Sequence, residues 1–223
     1  MAVAGTTLGA VAAAGVYALA LPLRFVLISA AAFGAIAGCT LVLARSRMRG
    51  APFGTANVVT LLRAALAAPL AGLALEAPDA GLAWFAIALA VTALVLDGVD
   101  GRLARGAGLA TPFGARFDME VDALLILGLS VLCWQFEKAG AWILAAGLLR
   151  YAFVAAARAL PWMRRPLPPS RRRQTVCVVQ VVALLACLSP LLDRGASAAV
   201  GALGLAVLAW SFAVDVVHLA RSA

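Results

Sequence analysis

Long apolar segments separated by short polar breaks make up most of this sequence. A helix needs roughly 20 mainly apolar residues to cross a bilayer, and most of the segments approach that length. Eight segments can be recognised, with approximate bounds of 6–22, 25–44, 57–76, 82–96, 115–136, 139–159, 174–192 and 198–219. The pattern predicts an all-α integral membrane protein built from eight helices.

The polar breaks carry most of the positive charge, and they predict the orientation. Arginines cluster around 45–50, 102–116 and 161–175, which lie on one side of the membrane if eight helices are counted. Short loops rich in arginine remain in the cytosol. We therefore expect these breaks and both termini to face the cytosol, in a bacterial cytoplasmic membrane.

The net charge is +8 over 223 residues, of which 65% are hydrophobic. In a soluble protein such a charge would suggest nucleic-acid binding. Here the arginines follow membrane topology, so we expect no nucleic-acid partner. The start of the chain lacks the basic residues of a typical secretory signal, and we expect residues 1–20 to be retained as a helix.

The acidic residues are concentrated in one place. Five of the ten lie in the window 97–122. Carboxylates that cluster repel each other unless a cation neutralises them, and oxygen ligands suit Mg²⁺, Mn²⁺ or Ca²⁺. Four of the five are the aspartates Asp97, Asp100, Asp118 and Asp122. The cluster predicts a divalent-metal site at the membrane surface.

The spacing of these aspartates indicates how they meet. Residues three or four apart share one helix face, which applies to Asp97 with Asp100 and to Asp118 with Asp122. We expect the first pair to end one helix and the second pair to begin the next. A reversal between Gly106 and Pro112 would then turn the two pairs towards each other.

The full pattern reads Asp97-x2-Asp100-Gly101-x2-Ala104-Arg105-x8-Gly114-x3-Asp118-x3-Asp122. It resembles the signature of the CDP-alcohol phosphatidyltransferase family at every fixed position. Upstream, Asn57-x2-Thr60-x2-Arg63 is similar to the segment that opens the first core helix in many bacterial members. The resemblance extends from about residue 55 to about residue 220, and the first two predicted helices lie outside it.

This resemblance implies a six-helix core over 51–223, an accessory transmembrane hairpin over 1–50, and a homodimer among membrane lipids. It implies transfer of a phosphatidyl group from CDP-diacylglycerol to an alcohol, with release of CMP. Two Mg²⁺ or Mn²⁺ ions would be held by Asp97, Asp100, Asp118 and Asp122. Asp122 would also act as the catalytic base. The CDP pocket would be lined by Gly101, Ala104, Arg105, Gly114, Asn57 and Thr60.

The acceptor alcohol is predicted from arginines after the motif. Arg150, Arg158 and Arg172 are candidate ligands of an acceptor phosphate, which favours glycerol 3-phosphate, as in the phosphatidylglycerophosphate synthases of that family. Inositol phosphate or serine are alternatives. Arginines of the 161–175 connection can equally serve as cytosolic anchors at anionic lipid head groups.

A function of another class is an ion-coupled membrane transporter that uses the aspartates as its ion site. Transporter sites usually lie near the bilayer midplane, on interrupted helices. The aspartates are expected at helix ends beside polar connections, which favours the enzyme.

Overall fold

The computed structural model describes the backbone of residues 1–47, 54–107, 111–168 and 170–221. Side chains are described for the same residues except 45–47, 99–107 and 112. Within these ranges all regular secondary structure is helical, which confirms the predicted all-α class.

The helices follow the predicted apolar segments closely. Two short 3₁₀ helices, Ala141–Ile143 and Pro161–Arg164, also occur. The α-helices within the described residues are α1 (Ala2–Leu19), α2 (Leu23–Arg47), α3 (Thr55–Ala67), α4 (Pro69–Leu73), α5 (Ala80–Ala107), α6 (Pro112–Gln135), α7 (Leu144–Ala159), α8 (Arg171–Leu188) and α9 (Arg194–Arg221).

The third apolar segment forms two helices where one was expected. Pro69 begins α4, and only Ala68 separates it from the end of α3 at Ala67. A proline has no backbone N–H to donate and its ring clashes with the preceding turn, so the helix is interrupted there.

The helix that carries the first aspartate pair is longer than expected. The apolar part of α5 ends at Gly98, but the helix continues to Ala107. The expectation that Asp97 and Asp100 end the helix is therefore wrong, since both lie inside it. Hydropathy marks where a helix leaves the apolar environment and not where its backbone hydrogen bonds stop, which explains the error.

Six helical stretches of the described residues are long and apolar enough to cross a membrane, as expected for an integral membrane protein. They are Ala2–Leu19, Leu23–Ala44, Thr55–Leu73, Ala80–Gly98, Ala141–Ala159 and Arg194–Arg221. The helices α6 and α8 are more charged near their starts, with Arg116, Asp118, Glu120 and Asp122 in α6 and Arg171, Arg172 and Arg173 in α8.

The first compact unit comprises Met1–Leu125. In it α1 packs against α3, and α2 packs against α4. Phe25 of α2 is fully buried and lies against Gly72. A Cβ atom at Gly72 would be 2.7 Å from the Phe25 ring, so only glycine permits this close approach.

One apolar cluster joins the first two helices to α3 and to the start of α6. It contains Ala4, Leu8, Ala44, Leu61, Ala64, Ala65, Phe113, Phe117 and Val121. Asp118 and Asp122 each follow directly after a member of this cluster, Phe117 and Val121. The predicted accessory hairpin thus packs behind the helix that carries these two aspartates.

An ion pair ties α2 to the connection after α4. The guanidinium of Arg24 donates from Nε to Glu76 Oε1 at 2.9 Å and from Nη2 to Oε2 at 2.7 Å. These hydrogen bonds, together with the positive charge of Arg24, lower the pKa of the Glu76 carboxyl, although burial opposes them.

The second compact unit comprises Ile126–Ala223. Here α8 packs against α9, and Gly204 allows the approach, because a Cβ there would lie 2.6 Å from the Cβ of Ala183. Lys138 donates to the backbone oxygens of Ser189 at 3.0 Å and Leu192 at 2.6 Å. These contacts satisfy carbonyl groups just beyond the C-terminal end of α8.

The first unit groups the hairpin with α3, α4, α5 and the start of α6. The division of the chain at residue 50 into a hairpin and a core domain stays a prediction.

Candidate functional site

Small residues allow α3 and α5 to approach closely. Ala64 and Ala65 of α3 and Ala90 and Ala93 of α5 are all buried, and the two helices pack against each other. Small side chains let helix backbones come together in a membrane. The long side chain of Arg63 can therefore reach from α3 to α5.

Arg63 is the centre of the polar cluster in this unit. Its Nε donates to the backbone oxygen of Ala93 at 3.2 Å. Its Nη1 lies 2.9 Å from Asp97 Oδ1 and donates to Asp118 Oδ1. Its Nη2 donates to Asp122 Oδ1. A single guanidinium thus contacts three carboxylates at once.

The start of α6 places two of these carboxylates. Thr111 precedes the helix, and its Oγ1 accepts a hydrogen bond from the N–H of Gly114 at 3.0 Å. The next residue, Pro112, is the first of the helix. A threonine cap followed by a proline is a favourable helix start. From there, Asp118 and Asp122 lie one turn apart and share a face.

Among the side chains that the structure describes, Asp97, Asp118 and Asp122 form a group that could hold a metal ion. Their ligand atoms lie within 4.8 Å of one another. Ca²⁺ binds oxygen at about 2.3–2.6 Å and Mg²⁺ at about 2.0–2.1 Å, so the smaller ion would draw these oxygens somewhat closer together. The donors are all oxygen atoms, and the residues present therefore fit Mg²⁺ or Mn²⁺.

Solvent exposure differs between the guanidinium and the carboxylates of this cluster. The side chain of Arg63 is only 2% exposed, whereas those of Asp97, Asp118 and Asp122 are 32%, 41% and 24% exposed. The guanidinium therefore lies deeper than the carboxylates. An ion from outside would meet the carboxylates first.

Three of the predicted CDP-binding residues lie next to this cluster in sequence or space. Asn57 and Thr60 are buried on α3, within two turns before Arg63. Gly114 faces Asn57, since a Cβ on Gly114 would be 2.8 Å from Asn57 Oδ1. The first turn of α6 thus packs directly on the polar side of α3.

The other predicted residues of this region are not described in detail. Asp100, Gly101, Ala104 and Arg105 belong to α5, but they lie outside the residues whose side chains the structure describes.

The three predicted acceptor-binding arginines belong to the second unit. Arg150 is half-buried in the middle of α7, and Arg158 is exposed near its end. Arg172 is at the start of α8. Its Nη1 donates to the backbone oxygen and to Oγ of Ser211, both at 2.6 Å.

Arg172 also has an acidic partner on α9. Its Nη2 donates to Asp215 Oδ1, and its guanidinium lies 5.7 Å from the centre of the Trp210 ring. Arg173 approaches the same carboxylate at 3.6 Å. The charge of Arg172 is therefore largely engaged by contacts between α8 and α9.

Sequence reasoning did not assign a role to Arg63. It appeared only as the last residue of the upstream pattern that begins at Asn57. The available signal was a lone charge inside an apolar segment, because such a residue is costly in a membrane unless it is paired or functional.

Comparison with protein families identifies a match over most of the chain. The model of the family described as CDP-alcohol phosphatidyltransferase matches residues 53–217, which is well over half of the chain. No curated protein and no solved structure matches at the significance required.

Proposed function

Because this chain belongs to the CDP-alcohol phosphatidyltransferase family, we propose that it transfers a phosphatidyl group from CDP-diacylglycerol to a small alcohol and releases CMP. The observation that carries the proposal is the convergence of Asp97, Asp118 and Asp122 at a partly accessible site. The apolar helices suit a substrate with two acyl chains.

The metal ligands would be Asp97, Asp118 and Asp122, with Asp100 completing the set, and they would hold two Mg²⁺ or Mn²⁺ ions. When bound, such cations offset the charge of the diphosphate and stabilise the charge on the departing CMP. The described carboxylates alone carry three negative charges against one from Arg63, which leaves an excess suited to a divalent cation.

Asp122 would act as the general base. Its carboxylate accepts the proton of the acceptor hydroxyl as the hydroxyl oxygen bonds to the phosphorus of the phosphatidyl group. The bond between that phosphorus and the CMP oxygen breaks, and its electron pair leaves with CMP. An alcohol is a poor nucleophile at neutral pH, so a positioned base is needed.

The CDP group would bind beside the carboxylates. Asn57, Thr60 and Gly114 are candidates on α3 and α6, and the packing of Gly114 against Asn57 supports a shared pocket. On α5 the family pattern adds Gly101, Ala104 and Arg105. Arg105 would offer its guanidinium to phosphate oxygens, for which a planar fork of donors is well suited.

We propose glycerol 3-phosphate as the acceptor, with Arg150, Arg158 and Arg172 as candidate ligands of its phosphate. Arg150 supports this assignment best, because it is a half-buried charge in the middle of an apolar helix, and ionisable residues within membrane helices are usually functional. We further propose that the site faces the cytosol of a bacterial cell and that the protein is a homodimer.

The test is an assay of the purified full-length protein with CDP-diacylglycerol, Mg²⁺ or Mn²⁺, and single acceptors. The acceptors are glycerol 3-phosphate, inositol phosphate, inositol and serine. CMP release with glycerol 3-phosphate alone is the expected result. Release with a different acceptor would overturn the choice of acceptor, and no release with any acceptor from folded protein would overturn the proposed reaction.

A further inference from the structure

We infer that Arg63 is a positioning residue that pre-organises the aspartates for a divalent cation. It would hold one oxygen of each carboxylate from the buried side, so that the other oxygens are presented to the accessible side. This inference goes beyond the proposed function and rests on it for its biological meaning.

The first argument is geometric. Arg63 contacts the Oδ1 atom of Asp97, of Asp118 and of Asp122. In each of these three contacts the carboxylate oxygen nearest the guanidinium is Oδ1. A carboxylate has two oxygens and about four acceptor positions, so it can accept from a guanidinium and bind a cation at the same time.

The second argument is the depth of the guanidinium. Arg63 is 2% exposed, and its carboxylate partners are at least 24% exposed. A guanidinium that occupied the cation's place would lie on the accessible side of the carboxylates. Arg63 lies behind them instead, which is the place of a residue that supports ligands.

The third argument is the anchoring of Arg63 itself. Its Nε donates to the backbone oxygen of Ala93 at 3.2 Å, on the same helix as Asp97. The Nε atom is therefore hydrogen-bonded to α5, while Nη1 and Nη2 also reach the aspartates of α6. The planar guanidinium fixes the directions of all these donors together, and so it fixes the separation of the carboxylates.

The fourth argument is electrostatic. Three carboxylates whose ligand atoms lie within 4.8 Å repel each other. Without a positive charge behind them they would separate, and a cation would have to gather them again. Arg63 offsets one of the three described negative charges, and the excess of negative charge that remains still favours a cation.

These arguments predict weaker cation binding when Arg63 is replaced. We expect Arg63→Gln to weaken Mn²⁺ binding about 10- to 100-fold, the range found when groups that orient metal ligands are removed. Arg63→Lys retains the charge but lacks the planar fork, and we expect it to recover part of the loss. The measurement is titration of Mn²⁺ into the purified full-length protein without CDP-diacylglycerol, followed by electron paramagnetic resonance.

The matched control is Arg24→Gln. It removes one positive charge and one arginine–carboxylate pair from the same unit, and we expect it to leave Mn²⁺ affinity unchanged. Unchanged or tighter binding in Arg63→Gln would overturn the inference, because tighter binding would make Arg63 a competitor of the cation. A loss of equal size in Arg24→Gln would also overturn it.

A kinetic measurement separates positioning from folding. In Arg63→Gln, the Mn²⁺ concentration that gives half-maximal CMP release should rise, while the rate at saturating Mn²⁺ should largely recover. The Mn²⁺ titration needs no turnover, so the inference and the proposed reaction can fail separately. Absence of CMP release with the predicted loss of Mn²⁺ affinity would overturn only the reaction.

Discussion

Glu76 accepts two hydrogen bonds from the guanidinium of Arg24, and this pair joins the second helix to the connection between α4 and α5. Glu76 is buried although its partner is largely exposed. The two residues belong to parts of the chain that the sequence pattern had separated, since Arg24 lies in the hairpin and Glu76 in the core.

The lowered pKa of Glu76 makes this contact sensitive to acid. A carboxyl whose folded pKa lies below its unfolded value of about 4.5 stabilises the protein above that value. The contribution is lost as the pH falls through the folded pKa. Thermal unfolding of the wild type and Glu76→Gln should therefore differ at neutral pH, and the difference should shrink below pH of about 4.

Arg24→Gln provides the control for this pH dependence. It removes the same ion pair from the other side, so it should show the same trend, and the double variant should be no less stable than either single variant. A difference between wild type and Glu76→Gln that stays constant down to low pH would contradict the role of the ion pair.

Asp122→Asn tests the proposed base. An asparagine cannot accept the hydroxyl proton, and loss of a general base typically slows a reaction about 10²- to 10⁴-fold. It keeps a side-chain oxygen that can still contact a cation. We expect the rate of CMP release to fall by that factor while Mn²⁺ binding changes much less. If Mn²⁺ binding is lost together with turnover, Asp122 serves mainly as a metal ligand.

Gly114→Ala tests the contact between α6 and Asn57. The added methyl group would lie 2.8 Å from Asn57 Oδ1 and 3.1 Å from Thr111 Oγ1, so the Asn57 side chain must move. We expect the KM for CDP-diacylglycerol to rise about tenfold, equivalent to about 1.4 kcal/mol and within the usual cost of overpacking.

Gly34→Ala is the matched control for that substitution. A Cβ at Gly34 meets no atom within 4 Å, and its KM should match the wild type. An unchanged KM in Gly114→Ala would remove Asn57 and Gly114 from the proposed CDP pocket.

Arg172→Ala and Asp215→Asn distinguish two roles of Arg172. If Arg172 binds the acceptor phosphate, its loss should raise the KM for glycerol 3-phosphate. Asp215→Asn retains the guanidinium and removes the carboxylate that neutralises it, so that KM should not rise. Equal changes of KM and of thermal stability in both variants would assign Arg172 to the packing of α8 on α9.

The fold could be predicted largely from the apolar pattern, because each segment corresponds to a helix or to a helix pair in the described residues. The break between α3 and α4 at Pro69 could not be recognised from hydropathy, since Ala68 and Leu70 continue the apolar run on both sides of it. The extension of α5 beyond Gly98 also escaped hydropathy, because the residues of this part of the helix are polar.

Part of the site was also predictable. Helical spacing is enough to place Asp118 and Asp122 on one face, and the short connection to α5 brings Asp97 near them. The position of Arg63 depends on how closely two helices approach, which is set by Ala90 and Ala93 on the neighbouring helix. Such packing cannot be obtained from the spacing of residues along one segment.

The burial of Arg63 among its three carboxylate partners has a consequence for membrane insertion. During synthesis α3 emerges before the helices that carry Asp97, Asp118 and Asp122, so its guanidinium lacks these partners at first. An unpaired arginine in an apolar segment opposes insertion by about 2.5 kcal/mol or more. Pairing with the aspartates of α5 and α6 would remove this cost. We therefore expect α3 to insert fully only when α5 and α6 insert with it.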